Sequence, residues 1–472
     1  MSNAAVGRVG AAYEPITEAL LLAHPEWRER EIVDDLRVTA LYAACRGRAV
    51  CLLAYDVCEI SRLQALRLRD AVGQEIGVDP ACVHVYCSHT HSSSCENDHD
   101  LDSLERTSIE AAQKAKQAAA PVESVDFLRV DTGRKYNINR RTRHGPLGTW
   151  CLMQSRGCTD DGAVVDGTEW VRERLRQFGA TAEESGAVQG PFPATRPNDP
   201  NLDLVLFPKR DGGYAGGFVR FTAHAVLCSA GYWRPNIGRD YPGVLCDRLA
   251  KAFGCPILFL QGPCGDHRTR HHDVGIVERD RIANGLADEL LGRREQCARF
   301  PFDALTNETA LLRCPLVEDF PADRAEAAAP LQRVEERLDA LPRGLEHLRE
   351  RKDLAERAAF YNHARTVLAG RAYLRPEDLA RRAADLEVSL LRFGGVSLLN
   401  FEGELFSTVT RGLLDPAEEP TVIASFCDGV TGYLMPPDDF PEGGYERTWV
   451  LFDPDAVADL RTTALSLMRR HD

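Results

Sequence analysis

The chain has 472 residues, with 57 Lys and Arg against 71 Asp and Glu, and its formal net charge is -14. Hydrophobic residues make up 44% and charged residues 27%, a balance typical of a globular protein with a sizeable core. The acidic balance argues against nucleic acid as the main partner, because phosphate binding needs a basic patch. No apolar run approaches the roughly 18 residues of a membrane span.

The 15 cysteines are scattered between Cys45 and Cys427, and many lie inside apolar runs. Buried free thiols behave as small hydrophobic side chains. The first ten residues lack the charged segment followed by an apolar segment that marks a secretory signal. We therefore expect a cytoplasmic protein with free thiols rather than a disulfide scaffold.

Strand and helix patterns alternate in the first part of the chain. Apolar, β-prone runs predict strands at residues 38–44, 49–56, 82–87 and 127–130, and helical spacing over 60–76 ends at Gly77. This order is typical of the start of an α/β sheet that helices cover.

The middle of the chain begins with an expected insertion. Residues 142–201 hold clusters of Gly, Pro, Thr and Asp around one helical stretch, 169–178, and are predicted to form a long loop. Strand patterns return at 202–207, 217–226 and 256–261, the first two joined by a Gly-rich turn. A helix is predicted over 274–291.

Residues 323–379 differ in composition from the rest of the chain. Leucine and valine recur at a spacing of 3.6 residues, in a background of Glu, Arg and Asp. This pattern predicts a charged helical insertion over about 320–385 that packs on the sheet. A partner-binding coiled coil is the weaker alternative, because the heptads do not persist.

The end of the chain returns to the first pattern, with strands predicted at 386–401 and 420–426 and a closing helix at 453–468. Taken together, the elements predict α/β architecture. We expect a single large domain over residues 1–472, with mixed β-sheets flanked by helices.

Histidines follow two of the predicted strands. The segment SHTHS at 88–92 follows strand 82–87, and His224 lies near the end of strand 217–226. Ligand sites of α/β sheets gather beyond the carboxyl ends of strands, where histidine nitrogens can bind Zn2+. In an extended strand His89 and His91 share one face, so both could reach one metal ion. For this motif alone, a polar loop with hydrogen-bonded histidines remains the alternative.

Six further segments follow in an order that resembles a known family. They are NINRR at 137–141, FTAHA at 221–225, RDYPGVLCDRLA at 239–250, ILFLQGPCGD at 257–266, NFEGELF at 400–406 and FCDGVTGYLMPPDDFPEGGYE at 426–446. With the histidine motif, they resemble the neutral (non-lysosomal) ceramidase family and its shorter bacterial relatives, over nearly the whole chain. Each motif is loose, but the ordered set is specific.

The resemblance implies a zinc site and a set of catalytic residues. Carried over by position, its Zn2+ ligands are His89, His224, Glu404 and Tyr433. Glu402 competes with Glu404 for this role, and Tyr445 competes with Tyr433. His91 corresponds to the histidine that contacts the reacting oxygen, and Arg140 to the arginine of the Asn-Arg segment.

The chain departs from the family at the nucleophile. Arg268 occupies the position of the family's Ser or Thr, and Thr269 is one residue out of register. We therefore expect no ceramide hydrolysis and predict that metal-activated water is the nucleophile. Cys264 is either a buried structural thiol or a substitute nucleophile. His91 and Asp266 are the candidates for proton transfer.

The presumed site segments are basic, although the chain is acidic. These residues are Arg140, Arg141 and Arg143 in one segment and His267, Arg268, Arg270, His271 and His272 in the other. Arginine forks match carboxylates and phosphates, so Arg140, Arg141, Arg268 and His267 are predicted to bind an acidic substrate. The alternative is that these arginines form ion pairs with Asp and Glu, and that His271 and His272 lie in a solvated loop.

The preferred function is therefore a zinc-dependent hydrolase of an amide (C–N) bond in a small, acidic molecule. One alternative is a biosynthetic enzyme that uses the same Zn2+ for cyclisation, elimination or transfer. The other is a catalytically silent binding protein that kept the fold.

Overall fold

The computed structural model describes residues 7–93, 98–143, 148–152, 168–190, 192, 194–228, 236–270, 275–369, 373–414 and 420–469. The strands in this part of the chain are β1 Gly7–Pro15, β2 Arg37–Cys45, β3 Arg48–Tyr55, β4 Val83–Cys87, β5 Ala120–Val122, β6 Ser124–Asp131, β7 Asn137–Asn139, β8 Arg141–Arg143, β9 Thr149–Cys151, β10 Asn201–Pro208, β11 Tyr214–Phe221, β12 Ile257–Gln261, β13 His267–Thr269, β14 Ala298–Pro301, β15 Leu305–Pro315, β16 Ala383–Phe393, β17 Val396–Phe401, β18 Glu404–Leu405, β19 Thr421–Ala424 and β20 Tyr433–Leu434.

The helices are α1 Thr17–Ala23, α2 Arg62–Ile76, α3 Asp98–Gln117, α4 Thr168–Gln177, α5 Ala182–Gly186, α6 Asp240–Phe253, α7 Ile276–Leu291, α8 Ala328–Ala340, α9 Leu345–Leu368, α10 Pro376–Arg381, α11 Ser407–Thr410 and α12 Pro454–Arg469. Within the described ranges, none of these helices has both the length and the apolar character that crossing a membrane requires.

Three larger sheets carry the fold. Their strand orders are β4-β3-β2-β1-β5 for the first sheet, β12-β11-β10-β6-β14 for the second and β15-β16-β17-β19 for the third. Each sheet contains one parallel pair, β3–β4, β11–β12 or β17–β19, while its other pairs are antiparallel. The prediction of mixed sheets flanked by helices is therefore confirmed.

The first two sheets pack face to face between two layers of helices. Leu52 of β3 and Phe218 of β11 share the core between the sheets. Because side chains alternate along a strand, the neighbouring Leu53 packs with α2 and α3, and Val219 packs with α6 and α7. One face of the third sheet packs in the same inner core, and α12 packs against its other face.

The sequence analysis did not predict α3, and the reason lies in its core-facing residues. Ala111, Ala112 and Ala115 of this helix are fully buried. A Cβ at Gly10 of β1 would lie 2.3 Å from the Ala115 carbonyl oxygen, so the helix lies directly on the strand. Because alanine contributes little to hydrophobic periodicity, the sequence of this segment gives only a weak helical pattern.

The predicted helical insertion lies between two strands that pair with each other. β15 and β16 are in register from Leu305 opposite Phe393 to Pro315 opposite Ala383, and α8, α9 and α10 fill the connection. The predicted apolar stripe is only partly buried: Leu348 is fully buried, whereas Leu345 is 40% exposed. The break between α8 and α9 resets the helical phase, so one stripe cannot continue through both helices.

Three other predicted elements have different boundaries. The strand predicted over 386–401 is a hairpin of β16 and β17, because Gly394 turns the chain with a φ of 61°. Helix α2 starts at Arg62, two residues later than predicted, since Ser61 and Gln64 form a capping box. The predicted loop 142–201 contains α5 as well as α4, and Val171 and Leu175 of α4 pack in a small core with Leu348 of α9.

Candidate metal centre

The loops that follow the three parallel pairs lie against one another. After β4 and β11, Thr90 forms a bridge with Ala225, and the His91 amide donates to the Ala225 carbonyl at 2.9 Å. The Ser425 amide, after β19, donates to the carbonyl of Gln261, the last residue of β12, at 2.8 Å. The carboxyl ends of strands from all three sheets therefore build one site, as expected for α/β sheets.

His89 leaves the extended conformation that the sequence analysis expected. Its φ is 60°, in the left-handed region that few residues other than glycine adopt. The expectation that strand alternation puts His89 and His91 on one face is therefore wrong. The turn nevertheless brings their Nε2 atoms to 3.3 Å from each other.

Backbone carbonyls fix which nitrogen of each histidine carries the proton. Nδ1 of His89 lies 2.8 Å from the Cys58 carbonyl oxygen, and Nδ1 of His224 lies 2.7 Å from that of His267. Since a carbonyl only accepts, both Nδ1 atoms donate and both Nε2 atoms keep a lone pair. Burial lowers the pKa of both rings well below the usual value, so both are neutral at pH 7.

Glu404 points a carboxylate oxygen at these two lone pairs. Its Oε1 lies 2.9 Å from Nε2 of His224 and 3.7 Å from Nε2 of His89. This buried oxygen makes no hydrogen bond to any described residue. Burial raises the pKa of Glu404, with the charges of His89 and Arg140 acting in the opposite direction. Three atoms that accept but do not donate therefore converge, an arrangement that a cation satisfies. We call His89, His224 and Glu404 the histidine cluster.

The histidine cluster was predicted with two alternatives, which the structure separates. Glu402 accepts a hydrogen bond from the Glu387 amide at 3.0 Å and lies 3.4 Å from Nε of Arg62, outside the cluster. Tyr433 is 6% exposed and Tyr445 is 41% exposed. Glu404 and Tyr433 are direct partners in the parallel pair β18–β20.

Arg140 connects Tyr433 to the cluster. It donates from Nη2 to the Tyr433 hydroxyl at 2.8 Å and to the Gly265 carbonyl at 2.9 Å, and its Nη1 lies 3.1 Å from Nε2 of His224. A cation at that nitrogen would compete with the last contact. Burial raises the pKa of Tyr433 well above its usual value, so the phenol stays protonated at neutral pH.

Arg140 and Arg141 share a single carboxylate. Nε of Arg140 lies 3.0 Å from Glu446 Oε1, and Nη1 of Arg141 lies 2.8 Å from Glu446 Oε2. Arg141 is fully buried and also donates to the Gly443 carbonyl at 2.9 Å. These are the contacts of the ion-pair alternative, and substrate binding by the two arginines stays a prediction. The sequence did not predict a role for Glu446, although this residue ends the segment 426–446.

His91 differs from the other two histidines in being partly exposed. Burial, with a smaller contribution from the charge of Arg140, lowers the pKa of His91 to about 4. The ring is therefore neutral at pH 7 and has the capacity to accept a proton. Its predicted role in proton transfer stays a prediction.

Asp266 and His267 form a buried network beneath His224. The Asp266 carboxylate accepts from the Ser407 amide at 2.9 Å and from Asn139 Nδ2 at 2.7 Å, and it lies 2.9 Å from Nδ1 of His267. Nε2 of His267 accepts from the Asp199 amide at 2.9 Å. Both nitrogens of the His267 ring are thus engaged, and its carbonyl oxygen orients His224. This geometry is that of a positioning network.

The remaining predicted residues lie close by or outside the described ranges. Arg268 is buried, and its backbone forms a bridge with His224. Thr269 is fully buried. Burial raises the pKa of the Cys264 thiol well above its usual value, so this thiol is protonated at neutral pH. His271 and His272 fall outside the residues that the structure describes.

The donor set fits a borderline-soft divalent cation. Two imidazole nitrogens and one carboxylate oxygen, with the Tyr433 oxygen nearby, are ligands that Zn2+ accepts. Mg2+ and Ca2+ prefer sites built of oxygen alone. The Sγ of Cys264 also belongs to this group, since it and one ligand atom each of His89, His224 and Glu404 lie within 4.8 Å of one another.

Comparison with solved structures identifies the fold. Neutral ceramidase from Pseudomonas aeruginosa superposes with a TM-score of 0.64 at 15% identity, over 99% of this chain and 75% of that chain. A ceramidase complexed with C2 gives a TM-score of 0.62 at 14% identity, over 98% of this chain and 75% of that chain. No family model and no curated protein matches the sequence. The predicted resemblance is confirmed at the level of fold: this chain has the fold of neutral ceramidase.

Proposed function

We propose that this protein is a zinc-dependent hydrolase of an amide (C–N) bond in a small, acidic molecule. The observation that carries the proposal is the convergence of Nε2 of His89, Nε2 of His224 and Oε1 of Glu404, three acceptor atoms in a buried site. The shared fold supports a hydrolase, because the proteins that it resembles are ceramidases.

The residues that would hold Zn2+ are His89, His224, Glu404 and Tyr433. When bound, the ion supplies Lewis-acid polarisation of a carbonyl group and lowers the pKa of water. The chain's own contribution is to keep both Nε2 lone pairs available. The carbonyls of Cys58 and His267 do this by binding the opposite nitrogen of each ring.

Water is the proposed nucleophile, because neither Cys264 nor the position of the family's Ser or Thr offers an activated side chain. Arg268 stands where the family has Ser or Thr, and burial keeps the Cys264 thiol protonated by raising its pKa. His91 is neutral, partly exposed and adjacent to His89, so it is the proposed acceptor of the proton that water loses.

Arg140 is proposed to stabilise the oxygen on which negative charge develops. It donates a hydrogen bond to the Tyr433 hydroxyl, and the Tyr433 phenol stays protonated, so the charge of Arg140 lies beside the proposed metal ligands. A charged donor beside a protonated phenol in a buried site favours an anionic transition state. Asp266 is proposed to act through His267 by positioning His224.

The charge of the site supports an acidic substrate. Arg140 and Arg141 carry two positive charges against the one carboxylate of Glu446. Glu404 offsets the remaining charge, but a divalent cation brings the site to a positive excess. An anionic group on the substrate would reduce that excess. Arg268 and His267 stay candidates for contacting it.

The cysteines bear on the compartment. No disulfide joins the cysteines whose placement the structure describes. Unoxidised cysteines in this number support the proposed reducing, cytoplasmic location.

The presence of Arg268 at the position of the family's nucleophile also supports a second candidate function. A site without the family's nucleophile could use the cation for cyclisation, elimination or transfer in biosynthesis. Product analysis in oxygen-18 water separates the two functions, since only hydrolysis places solvent oxygen in the product.

The test of the proposed function uses the purified full chain with a panel of N-acyl amino acids and their neutral methyl esters. We expect turnover of the acids that disappears after chelation and returns with Zn2+. Undiminished turnover in fully metal-free protein would exclude the zinc mechanism. Metal-dependent turnover without oxygen-18 incorporation would favour the biosynthetic alternative.

A further inference from the structure

Cys264 lies at the histidine cluster, although the resemblance to ceramidases assigns it no role. It follows β12 in the turn Gly262-Pro263-Cys264-Gly265 and is fully buried. Its Sγ lies within 4.8 Å of a ligand atom from each of His89, His224 and Glu404. In a tetrahedral zinc site with Zn–S of about 2.3 Å and Zn–N of about 2.0 Å, ligand atoms are themselves about 3–4 Å apart. Four atoms that all lie within 4.8 Å of one another are near this spacing, so the four side chains are close enough to be considered as one ligand set.

Contacts with three other segments of the chain fix the position of this turn. The Gly265 amide donates to the Leu405 carbonyl at 3.0 Å, and the Gly265 carbonyl accepts from Arg140 at 2.9 Å. A Cβ at Gly262 would lie 2.1 Å from Thr222 Oγ1, and one at Gly265 would lie 2.8 Å from a ring carbon of Phe406. The turn packs too closely for side chains at either glycine, so Cys264 is held beside β18 and Glu404.

The simpler interpretation of Cys264 is a structural thiol of the core, because it packs in the hydrophobic core that contains Ile237 and Phe426.

The charges around the site favour a role as a metal ligand. Arg140 and Arg141 face the carboxylates of Glu446 and Glu404, so these charges cancel before any cation binds. A divalent cation brings two uncompensated positive charges into a buried site, which is costly. Ionisation of a thiol at the same position removes one of them.

A second observation points to a ligand at this place. Oε1 of Glu404 is buried, aims at the histidine nitrogens and lacks a hydrogen bond from any residue of the described chain. Cys264 is the sulfur that faces this oxygen. A thiolate and an unbonded carboxylate oxygen cannot satisfy each other, but both satisfy a cation.

We propose that Cys264 is a thiolate ligand of the metal ion at the histidine cluster. The inference rests on the proposed metal centre. On binding, the S–H bond breaks, a sulfur–metal bond forms, and the proton leaves to solvent, as in other thiolate sites. A sulfur ligand shifts the preference of the centre toward Zn2+, Co2+ and Cd2+ and away from Mg2+ and Mn2+.

The test is cobalt substitution in the full chain, stripped with a chelator and titrated with Co2+. Wild-type protein should show a sulfur-to-cobalt charge-transfer band in the near ultraviolet. Cys264→Ser should remove the band and weaken Co2+ binding by at least about 10-fold, the lower end of the loss caused by residues that only orient a ligand. Cys58→Ser is the matched control, because Cys58 Sγ lies 3.7 Å from Nδ1 of His89 and is the competing sulfur.

The outcomes separate this inference from the proposed metal centre. Loss of the band in Cys58→Ser but not in Cys264→Ser would overturn the inference. Stoichiometric Co2+ binding without any band in wild type would also overturn it, while leaving the metal centre intact. Failure of wild type to bind Co2+ would overturn both.

A second measurement needs no variant and therefore does not depend on whether Cys264→Ser folds. X-ray absorption at the zinc edge of the reconstituted wild-type protein should show one sulfur at about 2.3 Å, beside nitrogen and oxygen at about 2.0–2.1 Å. A first coordination sphere of nitrogen and oxygen alone would contradict the assignment.

Discussion

Among the residues that the structure describes, two buried clusters contain a histidine, a cysteine and a carboxylate, but the two differ in how the carboxylate is hydrogen-bonded. The first is the histidine cluster with Cys264. The second, which we call the His84 cluster, consists of His84, Cys427 and Asp428, and its ligand atoms also lie within 4.8 Å of one another. Composition and burial are alike in the two places, so neither explains the difference.

The clusters differ in the number of donors that face the carboxylate. Asp428 accepts from the Val85 amide at 2.9 Å and from Cys427 at 3.2 Å, and it lies 2.8 Å from His84 and 3.5 Å from Arg69. Burial alone would raise the pKa of Asp428, but Arg69, His84 and the Val85 amide lower it to about 2. Burial raises the pKa of Glu404 instead, although His89, Arg140 and a hydrogen bond with Tyr433 act in the opposite direction, and its Oε1 accepts no hydrogen bond.

The comparison teaches that the balance of hydrogen-bond donors and acceptors, rather than the types of residue, identifies a candidate metal site. Where donors match acceptors, a buried cluster is a structural ion pair. Where several acceptors converge and a buried one among them lacks a donor, a cation completes the site. The predictions that follow test this distinction, from the largest expected effect to the smallest.

The largest effect should come from His224→Ala. Wild-type protein should contain close to one zinc per chain by elemental analysis, and the variant should contain almost none. Removing a ligand should lower zinc affinity by more than the roughly 10- to 100-fold lost when an orienting residue is removed. Glu404→Gln should behave in the same way, because the amide is a weaker ligand.

Glu402→Gln is the matched control for Glu404→Gln, two residues away and equally buried. It should keep its zinc, because Glu402 contacts Arg62 and the Glu387 amide rather than the histidines. If Glu402→Gln lost its zinc and Glu404→Gln kept it, the metal ligand would be Glu402 and our assignment of Glu404 would be wrong.

Asp428→Asn should destabilise the protein without removing metal. It leaves Arg69 with one carboxylate partner, Glu387 at 3.1 Å, and removes the charge that faces His84. Breaking a buried ion pair costs about 3–5 kcal/mol, and the Glu387 contact should hold the loss near the lower end. Urea unfolding measures the stability loss, and elemental analysis should show unchanged zinc. A zinc-free but stable variant would reverse our distinction between the clusters.

Arg140→Met should lose more activity on an acidic substrate than on its neutral ester. We expect a loss of about 2 kcal/mol in kcat/KM on the acid, the cost of leaving a charged hydrogen-bond partner unpaired. Arg143→Met is the control, because Arg143 is exposed, pairs with Glu442 and makes none of the contacts of Arg140 with His224 and Tyr433. Equal losses on acid and ester would refute the acidic-substrate proposal.

In metal-free protein the His91 ring should reduce stability as the pH falls from about 6.5 to about 4, whereas Asp56 and Glu402, whose pKa values burial raises to about 7, act in the opposite direction. The pKa of His91 is lowered to about 4 in the folded protein, below the value of about 6.5 in an unfolded chain. Between these values the unfolded chain binds a proton that the folded protein does not, so acid favours unfolding. His89 and His224, whose pKa values are also lowered, act in the same direction. Thermal melts of wild type and His91→Asn across this range should show a shallower slope in the variant.

The last prediction is that the mass of the protein stays unchanged during catalysis. Rapidly quenched reactions should show unmodified protein by mass spectrometry, because Arg268 replaces the nucleophile and Thr269 is fully buried. An acyl adduct on Thr269 or Cys264 would restore covalent catalysis.

The sequence by itself determined the α/β architecture and drew attention to the histidines from which the candidate site is built. Local periodicity predicted the helical insertion and most strands of the three larger sheets, since such signals depend only on near neighbours, but it missed the long strands β1 and β15. Helix α3 escaped because much of its buried face is alanine, at Ala111, Ala112 and Ala115. The fold of neutral ceramidase was predictable from the order of loose motifs, although identity to the solved structures is only 14–15%.

Only the tertiary structure decided between neighbouring candidates. Strand alternation would put Glu402 and Glu404 on the same face, but Gly403, with a φ of 85°, reverses the chain between them. One carboxylate consequently faces Arg62 and the other faces His224. The partner of Arg140 is likewise Glu446, 306 residues away. Contacts at such separation depend on how the sheets pack, which no local pattern encodes.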